Sequence, residues 1–334
     1  MKLLTLLTTL LLGSTAPAQE VEVDERYPDY APTTGVSGTI QSAGSDTMIH
    51  LMSHWCEGFI EVYPNVSQEI DGKGSSTAPP ALERGTAIFG PVSRAMRAQE
   101  IDAFEEAHGY KPTAVRTSID LLAIFVHKDN PIQSLSLSQV DAIFSANRVG
   151  GHPSDLTTWG DLGLEGEWAD RPISLYGRNS ASGTYGYFKE HALFGGDFKD
   201  TVMEQPGSSA VVQSVASDRY GMGYSGIGSR TADVRAVPLR FDAESEPVAP
   251  SGRVAFTGEY PLTRFLWLYI NYRPGSVLDP LRREFLTYVF SAQGQADVIK
   301  DGYFPMPFNL ARADMASVGL ELVAREREDG DREL

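Results

Sequence analysis

Four short segments of this chain set Ser or Thr hydroxyls beside Gly or Arg, just before stretches of helical periodicity. They are Ser45-Asp46-Thr47, Gly74-Ser75-Ser76-Thr77, Ser93-Arg94, and Arg178 followed by Ser182-Gly183-Thr184. A helix that begins in such a segment presents unpaired N–H groups and a partial positive charge, which together bind anions. Gly lets the backbone approach closely, hydroxyls add donors without charge, and Arg offers a fork matched to two oxyanion oxygens. The competing account of any one segment is helix capping, because Ser, Thr and Asp are favoured N-caps. Four of them, with Arg178 four residues before Ser182, point to a shared anion site. No GxxxxGK[ST] pattern occurs, and the GxGxxG match at Gly221-Met222-Gly223-Tyr224-Ser225-Gly226 lies within an expected strand rather than at a strand-to-helix turn, so nucleotide binding finds no support.

The elements needed to position these segments are legible in the periodicity. Residues 39–43 alternate as a strand, and after the first segment Met48, Leu51, Met52, Trp55 and Phe59 recur at helical spacing. Strands are expected at 65–70 and 87–92 with a helix at 78–84 between them. Further on, strands are expected at 121–127, 173–176, 221–227 and 266–271, with helices at 138–144, 185–193, 208–217 and 280–290. Strand, small polar loop and helix repeat, which predicts parallel βαβ units with loops at the carboxyl ends of the strands. No Pro/Gly/Ser linker divides the chain, so two lobes would have to exchange the chain more than once.

Lys2, the apolar run 3–12 and Ala16-Pro17-Ala18 form the pattern of a cleaved secretory signal peptide. The run is shorter than the roughly 20 residues a membrane helix needs, and no Cys follows it to carry a lipid. Removing 18 of the 334 residues leaves 316, more than one compact core holds. The acidic arm 19–36 precedes the lobes, and the charged tail 321–334 follows them, with 325–334 expected to fray. The net charge of −16 excludes a nucleic-acid partner, which would need clustered Lys and Arg. It does not forbid a small anion, since exposed charges are screened beyond about 8 Å. Cys56 is the single cysteine and reads as a buried thiol within a helix.

The ordered set Gly44-Ser45-Asp46-Thr47, Gly72-Lys73-Gly74-Ser75-Ser76, Ser93-Arg94 and Arg178-Asn179-Ser180-Ala181-Ser182-Gly183-Thr184 resembles the PstS-type phosphate-binding proteins, receptors of the phosphate ABC transporter. The segments 127–131, 137–144, 158–162, 221–224 and 260–264 support the likeness, which covers roughly 37–307. The resemblance implies a two-lobed α/β type II periplasmic-binding-protein fold, each lobe a mixed, mostly parallel sheet flanked by helices, with the ligand in the cleft. It implies a first lobe at 37–121 and 259–320, a second at 122–258, and hinge crossings near 118–122 and 260–264. The implied ligand contacts are Asp46, Thr47, Ser75, Arg94, Arg178, Ser182, Gly183 and Thr184, with Ser45, Ser76 and Ser93 adjacent. Also implied are inorganic phosphate as ligand, a permease in the inner membrane as partner, a periplasmic or secreted location, and a monomer. No cofactor, metal or catalysis is expected.

The family commonly has an acidic residue where Arg94 stands, and that carboxylate accepts the proton of bound hydrogen phosphate. Here the expectation is that Asp46 takes over as acceptor while Arg94 offsets its charge; alternatively Asp46 caps the helix near Met48 and pairs with Arg94. The ligand could then be another tetrahedral oxyanion such as sulfate or molybdate, and the protein could serve adhesion or sensing without a transporter. An enzyme is disfavoured: His50 and His54 lie four apart without a third metal ligand, and no Gly-x-Ser-x-Gly elbow surrounds Ser182.

Overall fold

A computed structural model describes residues 21–326; residues 1–20, with the expected signal peptide at 1–18, and residues 327–334 lie outside them. In chain order the first half contains β1 (Gly38–Ala43), α1 (Ile49–Val62), β2 (Val66–Asp71), α2 (Ala78–Glu83), β3 (Gly90–Val92), α3 (Ala98–His108) and β4 (Thr113–His127). The second half contains β5 (Leu135–Ser136), α4 (Leu137–Phe144), β6 (Ser174–Arg178), α5 (Gly183–His191), β7 (Met203–Gln205), α6 (Ser208–Ser217), β8 (Gly221–Gly226), β9 (Val234–Ala236), β10 (Leu239–Arg240) and α7 (Gly252–Ala255). The chain returns through β11 (Thr263–Ile270), α8 (Pro280–Val289), α9 (Ala292–Lys300), β12 (Phe304–Pro305) and α10 (Phe308–Ser317).

One long sheet runs β3-β11-β4-β8-β6-β7, and β1 pairs with β2 beside it. The pairs β1–β2, β6–β7 and β6–β8 are parallel, as strand-loop-helix repetition requires. Every antiparallel pair involves β4 or β11, the two strands that carry the chain across and back. β4 changes partner midway: up to Leu121 it pairs with β11, and from Leu122 it pairs with β8. The expected strand at 121–127 is only the second half of β4. Its first half, with Arg116, Ser118 and Asp120, lacks the continuous apolar run that identifies a buried strand.

Trp55, Cys56 and Phe59 of α1 are fully buried, and burial pushes the Cys56 thiol up to about 12. The N-terminal arm packs onto the first half: Tyr27 is 1% exposed and its hydroxyl donates to the Met306 carbonyl at 2.8 Å. The Arg325 amide donates to the Arg26 carbonyl, so the tail follows the arm at least that far. Among the described residues no helix is long and apolar enough to cross a membrane.

Candidate oxyanion site between the halves

The segments named from the sequence converge where the carboxyl ends of β1, β3 and β6 meet. Ser45 leads from β1 into a turn at 46–48, Ser75 opens a turn at 75–77 after β2, Ser93 follows β3, and Ser182 to Thr184 begin α5. The hydroxyls of Ser45, Thr47, Ser75, Ser93, Thr184 and Ser208 are all at most 4% exposed and form one network. Ser93 Oγ lies 3.1 Å from Ser45 Oγ and 3.3 Å from Ser75 Oγ. Thr47 Oγ1 lies 3.0 Å from Thr184 Oγ1 and 3.2 Å from Ser208 Oγ, which ties the first half to the second. Such bonds are exchangeable, because a hydroxyl can rotate its proton toward any acceptor.

Capping accounts for only one of these loops. Ser182 Oγ accepts from the amides of Thr184 and Tyr185, an ordinary N-cap for α5. Ser45 makes no such bond, and neither Thr47 nor Ser75 caps a helix through its side chain. Gly183 is required by close approach: a Cβ there would overlap Ser75 Oγ and stand 2.6 Å from Ser93 Oγ. Gly74, at φ +121°, lets the neighbouring Ser76 amide donate to the Ala181 carbonyl at 3.1 Å, another contact between halves. Gly183→Ala is expected to hold the halves apart, weakening phosphate binding at least about hundredfold while the melting temperature changes less, since the added methyl meets hydroxyls at the site rather than the hydrophobic core. Calorimetry beside a thermal melt checks it; undiminished affinity would show that the close approach is not needed.

Two arginines, each ion-paired to a carboxylate, frame the hydroxyls. Arg178, 2% exposed, donates Nη2 to Asp46 Oδ1 at 2.5 Å and Nη1 to Ser208 Oγ at 3.0 Å. Its backbone amide donates to Tyr224 Oη, whose ring stacks on Phe188 at 3.9 Å, so the element Gly221-Met222-Gly223-Tyr224 holds the arginine strand in place. Asp46 Oδ2 accepts from the Ser208 amide and hydroxyl. Arg264 donates Nε to Asp120 Oδ2 at 2.8 Å, Nη1 to the Ser93 carbonyl at 2.9 Å and Nη2 to Thr184 Oγ1 at 3.0 Å. Asp120 also accepts from the Ile227 amide and is fully buried.

The expected Asp46–Arg94 pair does not form. Asp46 reaches across to Arg178, while Arg94 makes a two-bonded ion pair with Glu100 at 2.7 and 2.8 Å. The sequence distance explains this: Glu100 is in the first turn of α3, one loop from Arg94, so the pair closes locally. Burial alone would raise the Glu100 carboxyl, but the Arg94 and Arg97 contacts outweigh it and hold that carboxyl below its usual range. Arg94 and Ser76, 3.5 Å apart, therefore stand on the flank of the hydroxyl network rather than inside it. Asp46 caps no helix; the side chain is turned wholly to Arg178 and Ser208.

Three residues at the site were not singled out: Ser208, Asp120 and Arg264. Ser208 carries the same signal as the other loops, since Gly207-Ser208 opens α6. Asp120 is a lone carboxylate in the middle of β4, directly before its apolar run, a sign of a buried pair. Arg264 has no local signal, because its partners come from three distant segments.

The two ion pairs leave the framing charges balanced, so hydroxyls and backbone amides must supply the attraction for an anion. Fold and site together are those of a periplasmic-binding protein: two α/β halves on crossing strands, with donors gathered where they meet. A family model for the PBP superfamily domain matches residues 30–293. The phosphate-binding protein PstS of Pseudomonas aeruginosa is 51% identical over 319 residues, covering 96% of this chain and 99% of that protein. The PstS of Bacillus subtilis is 26% identical, covering 81% of each. The chain belongs to the PstS family of the PBP superfamily. The type II fold agrees with solved structures of an ABC-type phosphate transport receptor from Vibrio cholerae (TM-score 0.62, 22% identity, 80% of this chain and 100% of that one) and of the periplasmic phosphate-binding protein PfluDING with phosphate bound (TM-score 0.66, 15% identity, 86% and 96%).

Proposed function

We propose that this chain captures inorganic phosphate outside the cytoplasm, between its two lobes, and delivers it to an ABC transporter without catalysing a reaction. The observation that carries the reading is the buried hydroxyl network spanning both halves between Arg178 and Arg264. An anion taken out of water needs a donor on nearly every oxygen to offset desolvation. Ser45, Thr47, Ser75, Ser93, Thr184 and Ser208 can redirect their protons to it, joined by amides at Asp46, Thr47 and Gly183. The phosphate contacts are thus Ser45, Asp46, Thr47, Ser75, Ser93, Arg178, Ser182, Gly183 and Thr184, with Arg264 added and Arg94 and Ser76 moved outward.

The lobes are assigned to 37–121 with 259–320 and to 122–258, which fits the change of partner along β4 at Leu121 and Leu122. Contacts made only when the lobes meet, Thr47 with Thr184 and Asp46 with Arg178, give the ligand its preference for the closed state. The closed monomer then docks on permease subunits of the inner membrane, and the export signal 1–18 is cleaved beforehand. Calorimetry of the mature chain tests the reading directly. Phosphate and arsenate are expected to bind one per chain and sulfate far more weakly; no heat with any of them overturns the site.

A further inference from the structure

We propose that the groove bounded by Arg94 and Arg97 is an outer receiving site for the oxyanion, from which it passes to the buried hydroxyls. The inference rests on the phosphate-binding reading above. Two grooves adjoin the site and share no lining residue. One, about 450 Å³, is bounded by Asp46, His50, Asp301 and Tyr303 and carries two carboxylates. The other, about 590 Å³, is bounded by Arg94, Arg97, Arg264 and His191, with Glu190 as its one acidic wall residue. Arg94 and Arg264 already face Glu100 and Asp120, so Arg97, which has no ion pair among the described residues, supplies the uncompensated positive charge of the groove in a chain of net charge −16. A cleft lined by one sign of charge focuses the field and gathers small ions of the opposite sign.

The arginines are arranged, not merely near. Arg94 is 7% exposed, and its Nε is buried without a hydrogen-bond partner among the described residues. Glu100 occupies both terminal nitrogens, which leaves the Nε edge for another acceptor. A Cβ built on Gly186 of α5 would stand 3.1 Å from Arg94 Cδ, 3.4 Å from Nε and 3.6 Å from Arg97 Nη2, so both guanidinium groups converge on one glycine. Arg264 lines the same groove while its Nη2 donates to Thr184 Oγ1 and its Nη1 to the Ser93 carbonyl. A single side chain thus spans from the groove to the hydroxyl network. The walls come from both sides of the cleft, 94–98 with 263–267 against 186–191, so their separation changes as the lobes move.

The test is stopped-flow association of inorganic phosphate with the whole mature chain, comparing Arg97→Glu, Arg97→Lys and Lys128→Glu. Arg97 is exposed, and its bond to Glu100 is made by the backbone amide, which every substitution keeps. Lys128→Glu makes the same change in net charge at the far end of β4, about 26 Å along the strand from Asp120. Arg97→Glu is expected to slow association about tenfold at low salt, with dissociation unchanged and the effect fading on the order of 0.5 M salt. Arg97→Lys should stay near the parent rate, and Lys128→Glu should change it less than about twofold. An unchanged rate in Arg97→Glu, or an equal slowing in Lys128→Glu, overturns the receiving site. Absence of any phosphate binding by the parent chain would instead overturn the phosphate reading beneath it.

Discussion

Asp46→Asn is expected to reduce the preference for phosphate over sulfate by about hundredfold, mostly through lost phosphate affinity. In the structure Asp46 Oδ1 accepts one bond from Arg178, and Oδ2 accepts two from Ser208. Each carboxylate oxygen has two lone pairs, so Oδ1 keeps an acceptor for the proton of hydrogen phosphate. A charge-assisted bond of this kind contributes about 1.5–3 kcal/mol, which is roughly ten- to hundredfold in affinity. Sulfate brings no proton and meets the same carboxylate as a repulsion, so removing the charge should help it. The two effects move the ratio in one direction. Calorimetry with both anions at several pH values reads it, and a variant that keeps both its phosphate affinity and its preference would end the acceptor role. Arg94 plays no part in this balance, because Glu100 already holds it.

Arg264→Met should be the most destabilising single change at the site. It leaves Asp120, fully buried, with the Ile227 amide as its one remaining hydrogen-bond donor. Breaking a buried pair from one side costs about 3–5 kcal/mol because the other charge stays behind unpaired. Adding Asp120→Asn removes that charge, so the double variant should recover much of the lost melting temperature. Phosphate affinity should remain impaired in both, since Thr184 and the Ser93 carbonyl lose the donor that orders them. A double variant as unstable as the single would show that the arginine contributes packing, over the Tyr187 ring 5.5 Å away, rather than charge.

The parallel units were legible because β1, β2 and β6 are short, periodic and followed by small-residue loops. The first half of β4 was not, since Arg116 pairs with Asp314 and Asp120 with Arg264, residues far along the chain. A strand that buries charge against distant partners loses the apolar run by which strands are recognised. The partner of Arg94 was not legible either: its loop is at the site, but a carboxylate six residues on draws the guanidinium toward the start of α3.

By itself the sequence determined the export signal pattern, the repeating strand-loop-helix units, and the loops whose hydroxyls and glycines bring donors to an anion. Those are local properties, fixed by residue type and spacing over a few positions. The tertiary structure decided which charges face one another: Arg178 with Asp46, 132 positions apart, Arg264 with Asp120, and Arg94 with Glu100. A buried charge takes whichever counter-charge the fold brings within reach: across the halves for Arg178, on the neighbouring strand for Arg264, and one loop away for Arg94.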